Sequence, residues 1–241
     1  KDDKSSLNNL AALYQKTGKL NKSFSIFNQL LHNFPNDKNL LNNTGNVLID
    51  LNKYKEAIRY INKAIKIDSS QSAFFSNLGR ALFLHGKYKK AKIVLNKSLH
   101  LNPYNHEAHL IFFYLLIIKN KLKEAWKHFD SRLNVKNYFI PKNLSSLKKI
   151  KNKKILVLRE AGLGDEILYS SMYAELIKKN NKVVIECNKR LKKIFKRSFK
   201  YKRFVSNSLT LRNNYNLNKF DFSVYAGSLS IFFRQKLSDF S

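Results

Sequence analysis

The sequence predicts an α-helical solenoid of repeated helix pairs followed by an α/β unit built on a parallel sheet. Three observations carry that prediction. Residues recur in register every 34 positions over the first half of the chain. Beyond residue 150 the helical period gives way to short, continuous apolar runs bounded by charges. Between the first of these runs and the next helical segment lies a glycine-containing turn, Gly162-Leu163-Gly164-Asp165. The predicted boundaries are 1–135 for the repeats, in units of about 4–37, 38–71, 72–105 and 106–135. A connector follows at 136–152 and the α/β unit at 153–241.

The repeats are justified column by column. Gly18, Asn52, Gly86 and Asn120 are turn formers that tolerate a left-handed backbone. Each is followed by a lysine: Lys19, Lys53, Lys87 and Lys121. Leu20, Tyr54, Tyr88 and Leu122 come next. Ser23, Ala57, Ala91 and Ala125 are small, as a close approach of two helices requires, and Phe27, Ile61, Leu95 and Phe129 supply a bulky partner one turn later. Pro35 and Pro103 close the first and third repeats, with Ser69 in that place in the second. Before the turns, Tyr14, Leu48, Leu82 and Leu116 are in register, and Gly45 and Gly79 mark the tight contact inside two repeats. The pattern resembles the tetratricopeptide repeat. That resemblance implies a right-handed superhelix whose concave surface binds a peptide or positions another domain. The fourth repeat departs from the rest. It holds the only tryptophan, Trp126, read as a packing anchor, and its period fails after Arg132. It is expected to cap the solenoid where the next domain begins.

In the C-terminal third, Lys153–Arg159 reads as a strand buried on both faces. Ile167–Lys179 has helical spacing, with acids at its start and lysines at its end, as the helix dipole favours. Lys182–Cys187 is a second strand, Lys189–Arg197 a basic amphipathic helix, Arg203–Val205 a short third strand and Phe220–Ala226 a fourth. This alternation predicts a parallel sheet with right-handed crossovers, with ligands at the carboxyl ends of its strands: Arg159–Asp165, Cys187–Lys189 and Ala226–Ser228. As a dinucleotide fingerprint the glycine turn starts well, and Glu186 lies where a ribose-binding acid would. The third glycine position, however, holds Ile167. No lysine follows as a phosphate loop needs.

Net charge is +30, from 46 Lys and Arg against 16 Asp and Glu. A positive field favours anionic partners, yet the lysines recur everywhere, as a coding bias toward Lys, Asn and Ile would spread them. One cysteine, Cys187, excludes an intramolecular disulfide framework and points to a reducing compartment. The longest apolar run, Leu110–Ile118, falls well short of the ~20 residues of a membrane span. The six histidines lie in the repeats, and His106 and His109 lack a third metal ligand. The chain opens at Lys1 inside a helical pattern, so it is read as part of a longer protein.

Glu124–Leu133, Ile155–Ile167 and Val183–Arg190 together resemble bacterial proteins that fuse tetratricopeptide repeats to a glycosyltransferase domain of the heptosyltransferase group (family 9, GT-B fold). The similarity runs from about Leu122 to Arg234, and the Gly-Leu-Gly-Asp-Glu piece at 162–166 is its most specific part. The resemblance implies the N-terminal, acceptor-side Rossmann-like half of a GT-B enzyme. The reaction would be an inverting, metal-independent transfer from a nucleotide-sugar, with no cofactor. The donor-binding half is not expected in this chain. Asp165 would be the general base, worth ~10²–10⁴ in rate. Gly162, Leu163, Gly164, Glu160, Gly227 and Ser228 would border the substrate. Read from position alone, Asp165 is equally an N-terminal helix cap, and the two roles coexist. Cytoplasmic placement, peripheral at the inner membrane face, is again what the family implies. The alternative is a non-catalytic scaffold whose repeats bind a protein or peptide. A nucleic-acid binder driven by charge is a third class, without a recognisable reading motif.

Overall fold

The structure is a computed structural model describing residues 3–135, 144, 146–160, 162–180, 182–206 and 219–240. Pro141 and most of the predicted connector lie outside the described residues, as does Ala161. The chain divides into two compact units, Lys1–Lys119 and Asn120–Ser241.

The first unit is seven helices: α1 (Lys4–Lys16), α2 (Leu20–Asn33), α3 (Lys38–Asp50), α4 (Tyr54–Ile67), α5 (Ser72–Leu84), α6 (Tyr88–Leu101) and α7 (His106–Ile118). They pair as α1 with α2, α3 with α4 and α5 with α6. Turn chemistry sets the pairing. Gly18, Asn52 and Gly86 have φ of 76°, 61° and 76°, so each reverses the chain in the left-handed region after one helix. The Asp37 carboxylate caps α3 by accepting from the N–H groups of Asn39 and Leu40 at 2.8 and 3.0 Å, and Asn105 caps α7 through the Ala108 N–H at 3.0 Å. Pro35 and Pro103 follow α2 and α6, where a helix must stop. Within the pairs, Phe27, Ile61 and Leu95 are essentially fully buried beside Ser23, Ala57 and Ala91. The first helices of successive pairs also pack directly, α3 on α5 and α5 on α7.

The second unit begins with α8 (Leu122–Phe129) and α9 (Arg132–Val135). The two compact units thus divide between the paired helices of the fourth repeat. Among the described residues four parallel strands follow: β1 (Ile155–Leu158), β2 (Val183–Glu186), β3 (Phe204–Val205) and β4 (Phe222–Tyr225), in the order β3-β2-β1-β4. Helices α10 (Leu163–Ser170), α11 (Tyr173–Lys179) and α12 (Lys189–Ser198) lie between strands in sequence, and α13 (Ser230–Phe233) follows β4. The single helix expected over 167–179 is two. It starts four residues earlier, on Gly162 as cap, and breaks at Ser171–Met172. There the Arg234 guanidinium donates to the Ser171 carbonyl at 2.9 Å, giving that group a partner outside the helical ladder.

One sheet face carries the larger core. Ile155, Val157, Val183, Ile185, Phe204 and Val224 pack with Met172, Tyr173 and Leu176 of the α11 region and with Leu191 and Phe195 of α12. On the other face Leu156, Leu158 and Tyr225 pack with Leu133. α8 packs against α13, and the Trp126 indole N–H donates to the Arg234 carbonyl, so the tryptophan does anchor packing.

Candidate functional site

All the site residues expected from the sequence lie at the carboxyl edge of the sheet, but in two separate groups. Glu160 follows β1, and Gly227 and Ser228 follow β4. These strands are neighbours at the switch point, where strands are added first to one side of β1 and then to the other. Glu160 is 6% exposed. Its Oε1 accepts from the Gly227 N–H at 2.6 Å and from Arg132 Nη2 at 2.8 Å, and its Oε2 accepts from Arg132 Nε at 2.9 Å. Arg132 also donates to Asp130 Oδ1 at 2.6 Å and to Ser228 Oγ at 3.1 Å, and Ser228 Oγ donates to Asp130 at 2.7 Å. The guanidinium lies 3.9 Å from the centre of the Phe129 ring. Burial works against its charge, but Glu160 and Asp130 outweigh that and hold its pKa above the ordinary arginine value.

Any residue larger than Gly227 would have to push the Glu160–Arg132 pair aside. A Cβ there would lie 2.8 Å from Glu160 Oε1, 3.0 Å from Tyr169 Cζ and 3.1 Å from Arg132 Nη2. Burial and the nearby Glu160 push the Tyr169 phenol up to about 12, so it stays protonated. Glu160, Gly227 and Ser228 therefore do come together, but around the protein's own Arg132. The switch-point crevice is occupied by an internal ion pair.

The second group is the first turn of α10. Gly162 is its cap, Leu163 is half-buried, and Gly164 and Asp165 are exposed. Asp165 Oδ2 accepts the Gly162 N–H at 3.1 Å, so the capping role is realised. Glu166 is 1% exposed and joins two strand ends: it pairs with Arg159 and accepts the Asn188 N–H at 2.7 Å. Glu186, in the ribose position of the dinucleotide pattern, accepts the Arg159 N–H at 2.9 Å. Cys187 is buried, which pushes its thiol up to about 11 and away from nucleophilic chemistry. Among the described residues no cluster of three His, Cys, Asp or Glu could hold a metal ion. Among the same residues no helix is long and apolar enough to cross a membrane.

A further polar constellation lies in the first unit, along α1, α3 and α5. Asn43 Nδ2 donates to Asn8 Oδ1 at 3.2 Å, and Asn77 Nδ2 donates to Asn42 Oδ1 at 2.9 Å. One helical turn on from Asn42, Asn46 Oδ1 is buried without a hydrogen bond from any described residue. At the end of the row Asp50 accepts from Gln15 Nε2 at 2.6 Å and pairs with Arg80. Asn42, Asn46 and Asp50 are spaced i, i+4, i+8, which sets them on one stripe of α3. The periodicity reading above missed this row, although the signal was there: Asn8 and Asn42 form one 34-residue column, and Asn9, Asn43 and Asn77 form the next. For Arg132 no local signal existed.

The tetratricopeptide repeat family matches residues 7–37 and 39–70. This chain carries tetratricopeptide repeats. Among solved structures, a thermophilic tetratricopeptide protein of Thermus thermophilus aligns over 56% of this chain and 75% of its own, at 14% identity and a TM-score of 0.52. MamA of Desulfovibrio magneticus aligns over 57% of this chain and 77% of its own, at 20% identity and a TM-score of 0.49. YrrB, described as a tetratricopeptide protein with an unusual peptide-binding site, aligns over 56% and 70% at 24% identity and a TM-score of 0.44. No curated protein matches the chain.

Proposed function

We propose that the tetratricopeptide repeats are a docking scaffold for an extended protein segment laid along the first helices of the repeats. The asparagine row carries this reading. An asparagine amide offers two donors and one acceptor, the complement of a peptide group. Asn8, Asn42, Asn43 and Asn77 are tied pairwise between the first helices of successive repeats, so their orientation is set before anything binds. Asn46 Oδ1 is an acceptor out of water with no donor among the described residues. The Asn46 side chain is half-buried, so a turn of its amide would present Oδ1 to an incoming main-chain N–H and remove a desolvation cost of about 1–3 kcal/mol. Peptides selected from a displayed library on the full chain, with affinity followed by fluorescence anisotropy, test the proposal. Asn46→Ala combined with Asn77→Ala should weaken the selected peptides roughly tenfold, a loss of about 1.4 kcal/mol. Peptides that bind the double variant as well as the parent would place the site elsewhere.

A second reading is favoured by the sheet and by Asp165. The C-terminal unit is then the acceptor-side half of a sugar transferase working with a nucleotide-sugar donor. What supports it is a parallel sheet with an exposed carboxylate in the first turn after β1. In that reading Asp165 takes the proton from an acceptor hydroxyl, while Glu160, Gly227 and Ser228 act indirectly, by fixing the crevice around Arg132. Transfer from a panel of nucleotide-sugars, measured in a protein that supplies a donor-binding half, should fall by ~10²–10⁴ in Asp165→Ala. An unchanged rate would leave Asp165 as a helix cap alone.

A further inference from the structure

The amino ends of the sheet, opposite the edge that holds the predicted site, carry a separate feature. A cavity of about 560 Å³ is lined by Val184, Val205 and Phe220, with Lys154, Lys182, Arg203 and Lys219 around them. The topology explains why four cations meet there. Among the described residues all strands are parallel, so the residues entering them fall along one edge: Lys154, Lys182 and Arg203 directly precede β1, β2 and β3, while Lys219 stands three residues before β4, and the residue directly before β4 is Asp221, which accepts the Lys154 N–H at 2.8 Å and pairs with Lys153. In the register Ile155 aligns with both Val183 and Phe222, and Ile185 with Phe204. Lys154 and Lys182 are therefore level across β1 and β2, and Arg203 is level with Val184. Val184 and Val205 are half-buried and Phe220 is half-buried beside them, so the floor is apolar while all four basic residues are exposed.

We propose that this cavity binds a small anionic amphiphile, its headgroup held by the four cations and its apolar body lying on Val184, Val205 and Phe220. The volume falls within the ~300–1,000 Å³ of ordinary ligand sites. Asp221 at the same edge pairs with Lys153, and Lys154, Lys182, Arg203 and Lys219 leave a net positive charge around the cavity, which an anion offsets while the apolar body removes floor surface from water. Neither half of the lining suffices alone. Exposed lysines without a floor hold an inorganic anion weakly and at low salt only, and a floor ringed by cations disfavours a neutral hydrocarbon less than it favours an anionic one. The cavity is lined by none of the residues assigned above to peptide docking or sugar transfer.

The test uses the whole chain and four probes: octyl phosphate and octanoate below their micelle concentrations, inorganic phosphate, and octanol below its solubility limit. Binding is read by calorimetry and located by amide NMR shifts at Val184, Val205 and Phe220. Octyl phosphate or octanoate should bind at these residues, and which is tighter separates a phosphate from a carboxylate headgroup. Lengthening the alkyl chain should tighten binding roughly threefold or more per methylene until the floor is covered. Lys182→Glu with Arg203→Glu should weaken binding at least about tenfold. Both positions are exposed, and the neutral pair Lys182→Gln with Arg203→Gln, checked by circular dichroism, should give a smaller loss with the fold intact. Inorganic phosphate or octanol binding as tightly as octyl phosphate would overturn the proposal. So would an undiminished affinity in the charge-reversed variant, or shifts confined to other residues.

Discussion

Both units carry an excess of positive charge, and they handle it in opposite ways. In the repeats, charged groups pair at half-exposed positions between successive helix pairs: Lys4 with Asp37, Lys38 with Asp68, Arg80 with Asp50. In the α/β unit the pairs reach into the interior. Glu160 and Glu166 are almost fully buried and hold Arg132 and Arg159. A repeat array has only neighbours to contact, so its polar groups stay near the surface and recur with the period. A sheet brings distant strand ends together, and buried charges there tie β1 to β2, to β4 and to α9. The contrast predicts that single polar substitutions damage the second unit more than the first.

The largest effect is expected at the Arg132–Glu160 pair. Arg132→Ala strands the Glu160 carboxylate, and Glu160→Ala strands the guanidinium. Either should cost about 3–5 kcal/mol, because the surviving charge stays buried without its partner. Replacing both by methionine should cost much less. Urea unfolding of the three variants checks this, and a double variant whose loss equals the sum of the two single losses would show that the pair is not coupled. Next comes Gly79→Ala in the repeats, where the new methyl would lie 2.4 Å from Leu95 Cδ2. Overpacking of this kind costs about 1–3 kcal/mol. Leu95→Val in the same chain should recover part of the loss if the clash is its cause.

The difference between units also explains what could be read in the sequence. The repeats were legible because every column is local: a left-handed turn residue, a small residue, a bulky one, repeated at 34. The strands were legible as apolar runs; the first three are trimmed at their amino ends, where Lys153, Lys154, Lys182 and Arg203 stay in solvent. The start of α10 was misplaced, since glycines at 162 and 164 read as a turn while only Gly162 lies outside the helix. The crevice was not legible at all. Glu160, Gly227 and Ser228 were picked out from strand ends, but the group that joins them, Arg132, comes from a segment where the period fails and nothing marks it. Its role depends on contacts 28 and 96 residues away.

A smaller effect is expected from acid. Burial pushes the Asp37 carboxyl up, but Lys4 and the N–H groups of Leu40 and Asn39 outweigh it and hold it below the usual carboxylate range. Lys38, then Ser70 and Gln71, hold Asp68 lower still. Folded pKa values below the unfolded ones mean that the stabilisation is present above the unfolded value, ~3.9. It is lost as pH falls through the folded values. The helical signal of the repeats should therefore melt at progressively lower temperature below about pH 4, with little change between about pH 5 and 7 from these groups. Lys38→Met should flatten that acid dependence. An identical profile in the variant would remove the inter-repeat pair as its source.

The smallest effect has the opposite sign. The column that reads alanine at 57, 91 and 125 reads serine at 23, and all four side chains are fully buried. Ser23 Oγ has no hydrogen-bond partner among the described residues. A hydroxyl kept from water without a partner costs about 1–3 kcal/mol. Ser23→Ala removes that cost and leaves the contact with its neighbours unchanged in shape. Half or more of the cost is offset where the first repeat relaxes enough to let water reach the oxygen, so the expected gain is about 0.5–1 kcal/mol. A raised melting temperature for Ser23→Ala would make the first repeat energetically equivalent to the second and third. A lowered one would mean that the hydroxyl is bonded in solution, and that the first repeat is built on a different contact from the second and third.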